Sequence, residues 1–292
     1  MKKTSKHLLA VRILLIISAG CLLLSMGLMT VAVLRNPEAG TNYFVRGARL
    51  PAVAAAAAIS GGLCGVAAIL LLPASRLAGY SPLDAGVFSG IPAAVGFAVL
   101  GVCSVFFADG AFRILFPVLG FLSAVYLLWS GALSGKNGRT SGLFQLLGIA
   151  PVISCILWVA YSYFDLSVEM NAPVKVTVQI ALLLAMLCFT EELRFPLGRP
   201  MPRFYLLLCV LSVSAASLTA AAFPVAFFLQ KIPLCYFAGA VVSFGAALTG
   251  LMRLAPLASE MFGNPPAPSS DAAPSPESGE TPTENDTEGD AQ

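Results

Sequence analysis

The chain has 292 residues, of which 58% are apolar and only 11% charged, with a mean hydropathy of +0.85. A soluble domain is about 25% charged, so too few charges remain here to clothe a water-facing surface. The net charge of +2 hides a split: the 29 residues from Asn264 onward hold seven acids and no Lys or Arg, which leaves +9 on the rest. That sign suits an anionic inner leaflet. Nucleic acid is excluded as a partner, because the basic residues are scattered among short loops and form no stripe.

The opening MKKTSKH is basic and leads into a long apolar run. It mimics a secretory signal, but the run continues to Leu34, too long for a signal core. We read it as an uncleaved first helix, Ile13–Leu34. Seven further apolar runs of about 20 residues or more follow, each long enough to cross roughly 30 Å of hydrocarbon. They are helix two, Pro51–Leu72; three, Val87–Phe107; four, Phe112–Leu133; and five, Leu143–Phe164. Helix six is Val174–Leu193, seven is Phe204–Phe228 and eight is Leu234–Ala255. The connections are short: Ala108–Ala111 permits only an antiparallel hairpin.

The expected fold is therefore all-α, a polytopic membrane bundle of about eight transmembrane helices with a disordered C-terminal tail. Residues 1–12 form a basic cytoplasmic N-terminus, 13–258 the transmembrane domain and 259–292 the acidic cytoplasmic tail. From Asn264 on the tail is rich in Pro, Ser, Thr and acids and lacks aromatics, so it cannot bury enough apolar surface to offset the entropy of ordering. With the N-terminus inside, the inner loops carry eleven Lys and Arg and the outer loops six. This bias puts both termini in the cytoplasm.

Aromatic residues mark the predicted membrane edges: Trp158, Tyr161, Tyr163 and Phe164 at the outer end of helix five, Tyr126 and Trp129 near the inner end of helix four. Small residues recur at helical spacing, as at Gly61 and Gly65, Gly86 and Gly90, Ser212, Ala216 and Ala220, and from Gly239 to Gly250. Such stripes let helices approach closely; packing inside the bundle is the expected use, and a homo-oligomer or a membrane-protein partner the alternative. Pro92, Pro117, Pro151 and Pro224 fall within the runs, where each removes a backbone donor. The seven cysteines lie in or beside apolar runs without a CxxC pair and read as small buried hydrophobes.

Chemistry-bearing motifs are absent from the sequence. The one histidine, His7, lies in the basic N-terminal segment. HExxH, GxSxG and the P-loop pattern do not occur. No catalytic, metal-binding or cofactor-binding residue is assigned. The most distinctive string is FTEELRFPLGRPMPR, Phe189–Arg203. Its two carboxylates stand where helix six ends, and helix eight brings Arg253 to the same side. We expect Glu191 or Glu192 to pair with Arg253, tying helix six to helix eight, and Arg194, Arg199 and Arg203 to form a basic inner loop. The pair resembles the EExxxR motif of CAAX-processing proteases, but Pro196 stands where the Arg belongs and the later histidines are missing, so that activity is rejected. On the outer side Asp165, Glu169, Asn171 and Lys175 collect in one loop, a candidate binding surface that also reads as a solvated loop.

The stretches MNAPVK and ELRFPLGRPMPR resemble segments of uncharacterised multi-pass membrane proteins of Gram-positive bacteria. The resemblance covers about 40 residues and implies a bacterial plasma membrane, without an activity. The sequence is read as a non-enzymatic membrane component with membrane lipids as partners; the alternative is a transporter of a small or lipophilic substrate.

Overall fold

The computed structural model of the chain describes residues 2–35, 49–77, 80–132, 142–170 and 172–262. The acidic tail and its expected disorder lie outside the described residues, as do Asn171, Lys136, Arg139 and the first outer loop from 36 to 48.

All regular structure among the described residues is helical. The helices are α1 (Lys2–Arg35), α2 (Arg49–Leu70), α3 (Ala74–Leu77), α4 (Ile91–Phe107), α5 (Phe112–Ala132) and α6 (Gly142–Leu147). They continue as α7 (Ile149–Phe164), α8 (Pro173–Arg194), α9 (Pro202–Ser217), α10 (Ala222–Phe228) and α11 (Leu234–Phe262). Two 3-10 turns, Pro82–Ala85 and Val87–Gly90, lead into α4. Together they supply eight segments long and apolar enough to span a membrane. The outward-facing side chains include Leu23, Ile59, Leu63, Phe106 and Ile114, all exposed. An apolar perimeter of this extent is stable only when acyl chains cover it.

Two expected helices are broken, and proline explains both. The fifth span divides at Gly148 into α6 and α7. Pro151 has no N–H for the carbonyl of Leu147, and its ring crowds that same group. The seventh span divides at 218–221, one turn before Pro224, into α9 and α10. Pro92, expected inside a helix, instead occupies the first turn of α4, where its missing donor costs nothing. Gly86 likewise precedes the helix, in a positive-φ turn. At the ends, α1 already begins at Lys2 and α11 continues through Pro256 to Phe262, so both expected domain limits, 12/13 and 258/259, fall inside helices.

α1 packs along α2, α4 lies between α5 and α11, and α9 contacts α2, α8 and α11. The small-residue stripes are spent on these contacts. A Cβ at Gly61 would lie 3.1 Å from the Ser18 carbonyl oxygen of α1, at Gly120 2.7 Å from the Phe97 oxygen of α4, and at Gly96 3.0 Å from the Val241 oxygen of α11. At Gly245 it would run into the Pro92 carbonyl. Gly245→Val should therefore force α4 and α11 apart, at a cost of about 1–3 kcal/mol or more. Gly20→Val on α1, where nothing lies within 4 Å, serves as the control. The thermal midpoint in detergent should fall for the first variant and hold for the second; equal midpoints would refute the close packing.

Loose helix ends are tied by side-chain donors from neighbouring elements. The last carbonyls of a helix have no intrahelical partner. Lys231 Nζ donates to the Val33 carbonyl at 2.8 Å, Tyr161 OH to Phe107 at 2.9 Å, and Arg203 Nη2 to Leu72 at 2.7 Å. Trp158, expected in the outer aromatic belt, is instead fully buried against Gly239 and Tyr236, and Tyr126 is buried as well. Tyr163 and Phe164 do face outward.

Candidate functional site

The buried charged residues, Lys175, Glu191, Glu192 and Arg253, gather at the two ends of the bundle. At the end expected to face inward, α8 stops at Arg194 and the chain reverses through 195–201 into α9. Gly198 makes that reversal with φ +72, a left-handed conformation glycine adopts at no steric cost. Arg199 N–H then closes the turn on the Arg194 carbonyl at 3.0 Å, and Pro202 starts α9.

The two adjacent glutamates of α8 point different ways, since neighbouring helical positions are about 100° apart. Glu191 turns to the helix edge, where Arg194 Nη1 binds it at 3.0 Å. Glu192 turns inward, and its Oε2 meets Nη1 of Arg253 on α11 in an ion pair. Each of these two side chains is no more than 2% exposed. Two tyrosines and a serine complete the cluster. Tyr126 OH of α5 lies 3.4 Å from Glu192 Oε1, a long hydrogen bond. Arg253 Nη2 donates to Ser130 Oγ at 3.1 Å, and Tyr80 OH donates to the Arg253 carbonyl at 3.0 Å. Arg253 Nε is buried without a hydrogen-bond partner in the protein.

Arg253 lies six residues, or about 9 Å, inside the end of the span at Ser259. Glu192 lies only two residues before the end of its own span at Arg194, so the pair sits near the edge of the apolar layer, buried in the protein interior. Burying two charges costs several kcal/mol each, and only good geometry with further hydrogen bonds offsets it. The cluster links α5, α8, α11 and the segment after α3 into one unit. Beside it a cavity of about 10 Å³ is lined by Cys188, Tyr205, Cys209, Ser212 and Thr249. It could hold about one water molecule and is too small for an organic substrate.

At the opposite end the expected surface loop is tied down. Lys175, read from the sequence as a loop residue, sits in the first turn of α8 and is only 1% exposed. Its ammonium donates to the carbonyls of Tyr163 at 3.2 Å and Asp165 at 2.7 Å. Both carbonyls belong to the C-terminal end of α7, where a cation also complements the helix dipole. The Asp165 carboxylate accepts from Ser167 N–H at 2.9 Å and from Tyr236 OH of α11 at 3.1 Å. Glu169 is exposed. So Asp165 and Lys175 come together as a fastening, while Glu169 remains at the surface and stands apart from it.

The remaining inner-loop arginines divide. Arg203 reaches the end of α2 as described, and Arg199 is exposed. Tyr80, Tyr126 and Ser130 belong to the inner cluster although nothing in their local sequence marks them. Among the described residues no group of three or more His, Cys, Asp or Glu side chains is placed to hold a metal ion.

One larger recess lies away from both clusters. A half-open groove of about 360 Å³ runs at mid-membrane depth between α1, α9 and α11, walled by Leu22, Leu23, Met26, Phe244, Leu248 and Leu251. Ala216, Ser217 and Ala220 form its floor, beside the break between α9 and α10.

No protein-family model, curated protein or solved structure matches the chain.

Proposed function

We propose that the chain is a non-enzymatic, structural component of a bacterial plasma membrane, with both termini of the chain on the cytoplasmic side. One observation carries this reading: the buried charged side chains of the interior, Glu192, Arg253 and Lys175, are engaged in ties between structural elements. A proton or ion carrier would keep such groups facing a water-filled path. Here the space beside the ion pair holds about one water. The excess of Lys and Arg in the inner loops supports the orientation. The bundle's small residues are largely consumed within it, which leaves the apolar perimeter as the surface offered to lipids and to other membrane proteins.

A second reading, a carrier of a lipophilic substrate, is favoured by the mid-membrane groove and the broken span that borders it. Interrupted helices frame substrate sites in transporters. The two readings separate in proteoliposomes doped with a fluorescent short-chain phospholipid, with dithionite added outside. A structural component leaves the dithionite-resistant fraction at the value of empty liposomes. A fraction that falls well below that value would overturn the structural reading in favour of the carrier.

A further inference from the structure

A second apolar groove lies at the inner end of the bundle, where the hydrocarbon layer gives way to headgroups. It has a volume of about 490 Å³ and runs between the short helix α3 and the start of α9. Its walls are Ala74, Leu77, Met201, Phe204 and Leu207, with Arg203 at its edge. Its depth follows from the spans it touches: Pro202 is the first residue of one apolar segment and Leu70 the last of another. The groove therefore has acyl chains on one side and headgroups on the other.

The charge around it is of one sign. Arg76, the residue before Leu77 on α3, is exposed, and so are Arg203 and Arg199, the latter in the turn that leads to Met201. Glu191, near the end of α8, is already paired with Arg194. The N-terminus of the 16-residue helix α9 also opens here, and Met201 supplies no side-chain cap to it. Free N–H groups at a helix start carry a partial positive charge. An apolar floor with a cationic rim at the membrane boundary matches one kind of molecule, an amphiphile with a negative head. Basic recesses of this kind between membrane helices take anionic lipid headgroups.

We propose that this groove binds an anionic phospholipid. The phosphate lies against Arg203, Arg76 and Arg199, and an acyl chain follows Leu77, Phe204 and Leu207. Arg203 couples the site to the fold, because one of its nitrogens holds the carbonyl of Leu72 at the end of α2. The lipid thus also steadies the junction of α2 and α9. The inference rests on the membrane-spanning fold and is independent of the function proposed above.

The test uses the full chain purified in a neutral detergent. Phosphatidylglycerol, phosphatidylcholine or inorganic phosphate is titrated in, and binding is read from the thermal midpoint. Phosphatidylglycerol should raise the midpoint at lower mole fraction than phosphatidylcholine, with inorganic phosphate giving no rise. In Arg76→Gln/Arg199→Gln the apparent affinity for phosphatidylglycerol should drop about thirtyfold, the loss expected for two basic contacts. Both side chains are exposed, so the variant should elute and unfold like the parent in the absence of lipid. Leu207→Ser should weaken both lipids without removing the preference for the anionic one. Equal response to the two lipids, an undiminished preference in the double variant, or a matching effect of inorganic phosphate would overturn the proposal.

Discussion

Replacing Glu192 by Leu should cost the protein about 3–5 kcal/mol, because it leaves the Arg253 guanidinium buried and unpaired in the protein interior. The two halves of the pair are not equivalent in this respect. A buried carboxyl left alone can shed its charge by taking up a proton, whereas a guanidinium keeps its charge under all conditions in a protein. Arg253→Met should accordingly be the milder of the two single changes. The combination Glu192→Leu/Arg253→Met removes both charges and fills similar volume, and should recover most of the loss. Monodisperse yield and thermal midpoint in detergent give the readout. If both single variants matched the parent, the pair would carry no weight in holding α8 to α11.

Lys175→Met is the second large effect. The substitution keeps the length of the side chain and removes its three donors. Hydrogen bonds to a charged donor contribute roughly 1.5–3 kcal/mol each, and Lys175 makes two, to Tyr163 and Asp165. Part of that is offset because a buried ammonium no longer needs solvating, so a net loss of about 2 kcal/mol is expected. The loop from Asp165 to Ala172 should at the same time become open to protease added to the detergent-solubilised protein. An unchanged midpoint together with an unchanged cleavage pattern would show that the loop is held by other contacts.

These two sites differ in how far they could be read from the residues alone. The eight spans were legible because length and apolar content suffice for a membrane helix, and those properties are local. The meeting of a helix-six glutamate with Arg253 was legible for a topological reason: short loops force antiparallel neighbours, so two helices ending on one side bring their inner residues to one depth. Which glutamate turns inward depends on rotation about the helix axis, and this is set by packing against α7, α9 and α11. Tyr126 illustrates the same limit. Its position near a helix end suggests the headgroup belt, yet it faces the interior and meets Glu192. Trp158 is buried because Gly239 on α11 leaves room for its ring, and no feature of helix five records that gap.

Lys175 reads as a surface-loop residue for a different reason. A lysine beside acids in a short loop has the composition of a solvated surface. Only the path of the chain between α7 and α8 shows that the first turn of α8 aims this side chain at the carbonyls that end α7. The interruptions at Gly148 and at 218–221 were half legible. The prolines that cause them were visible, but whether a helix kinks, breaks or merely starts at a proline depends on what satisfies the freed carbonyl one turn earlier. Pro117 and Pro256 remain inside continuous helices.

Everything here depends on the eight apolar segments lying among acyl chains. Alkaline carbonate extraction of membranes from expressing cells tests that most directly. The protein should stay wholly in the pellet after centrifugation and move to the supernatant only when detergent is added. Release by carbonate alone would contradict the account, since a chain freed by breaking ionic contacts cannot be one that crosses the bilayer.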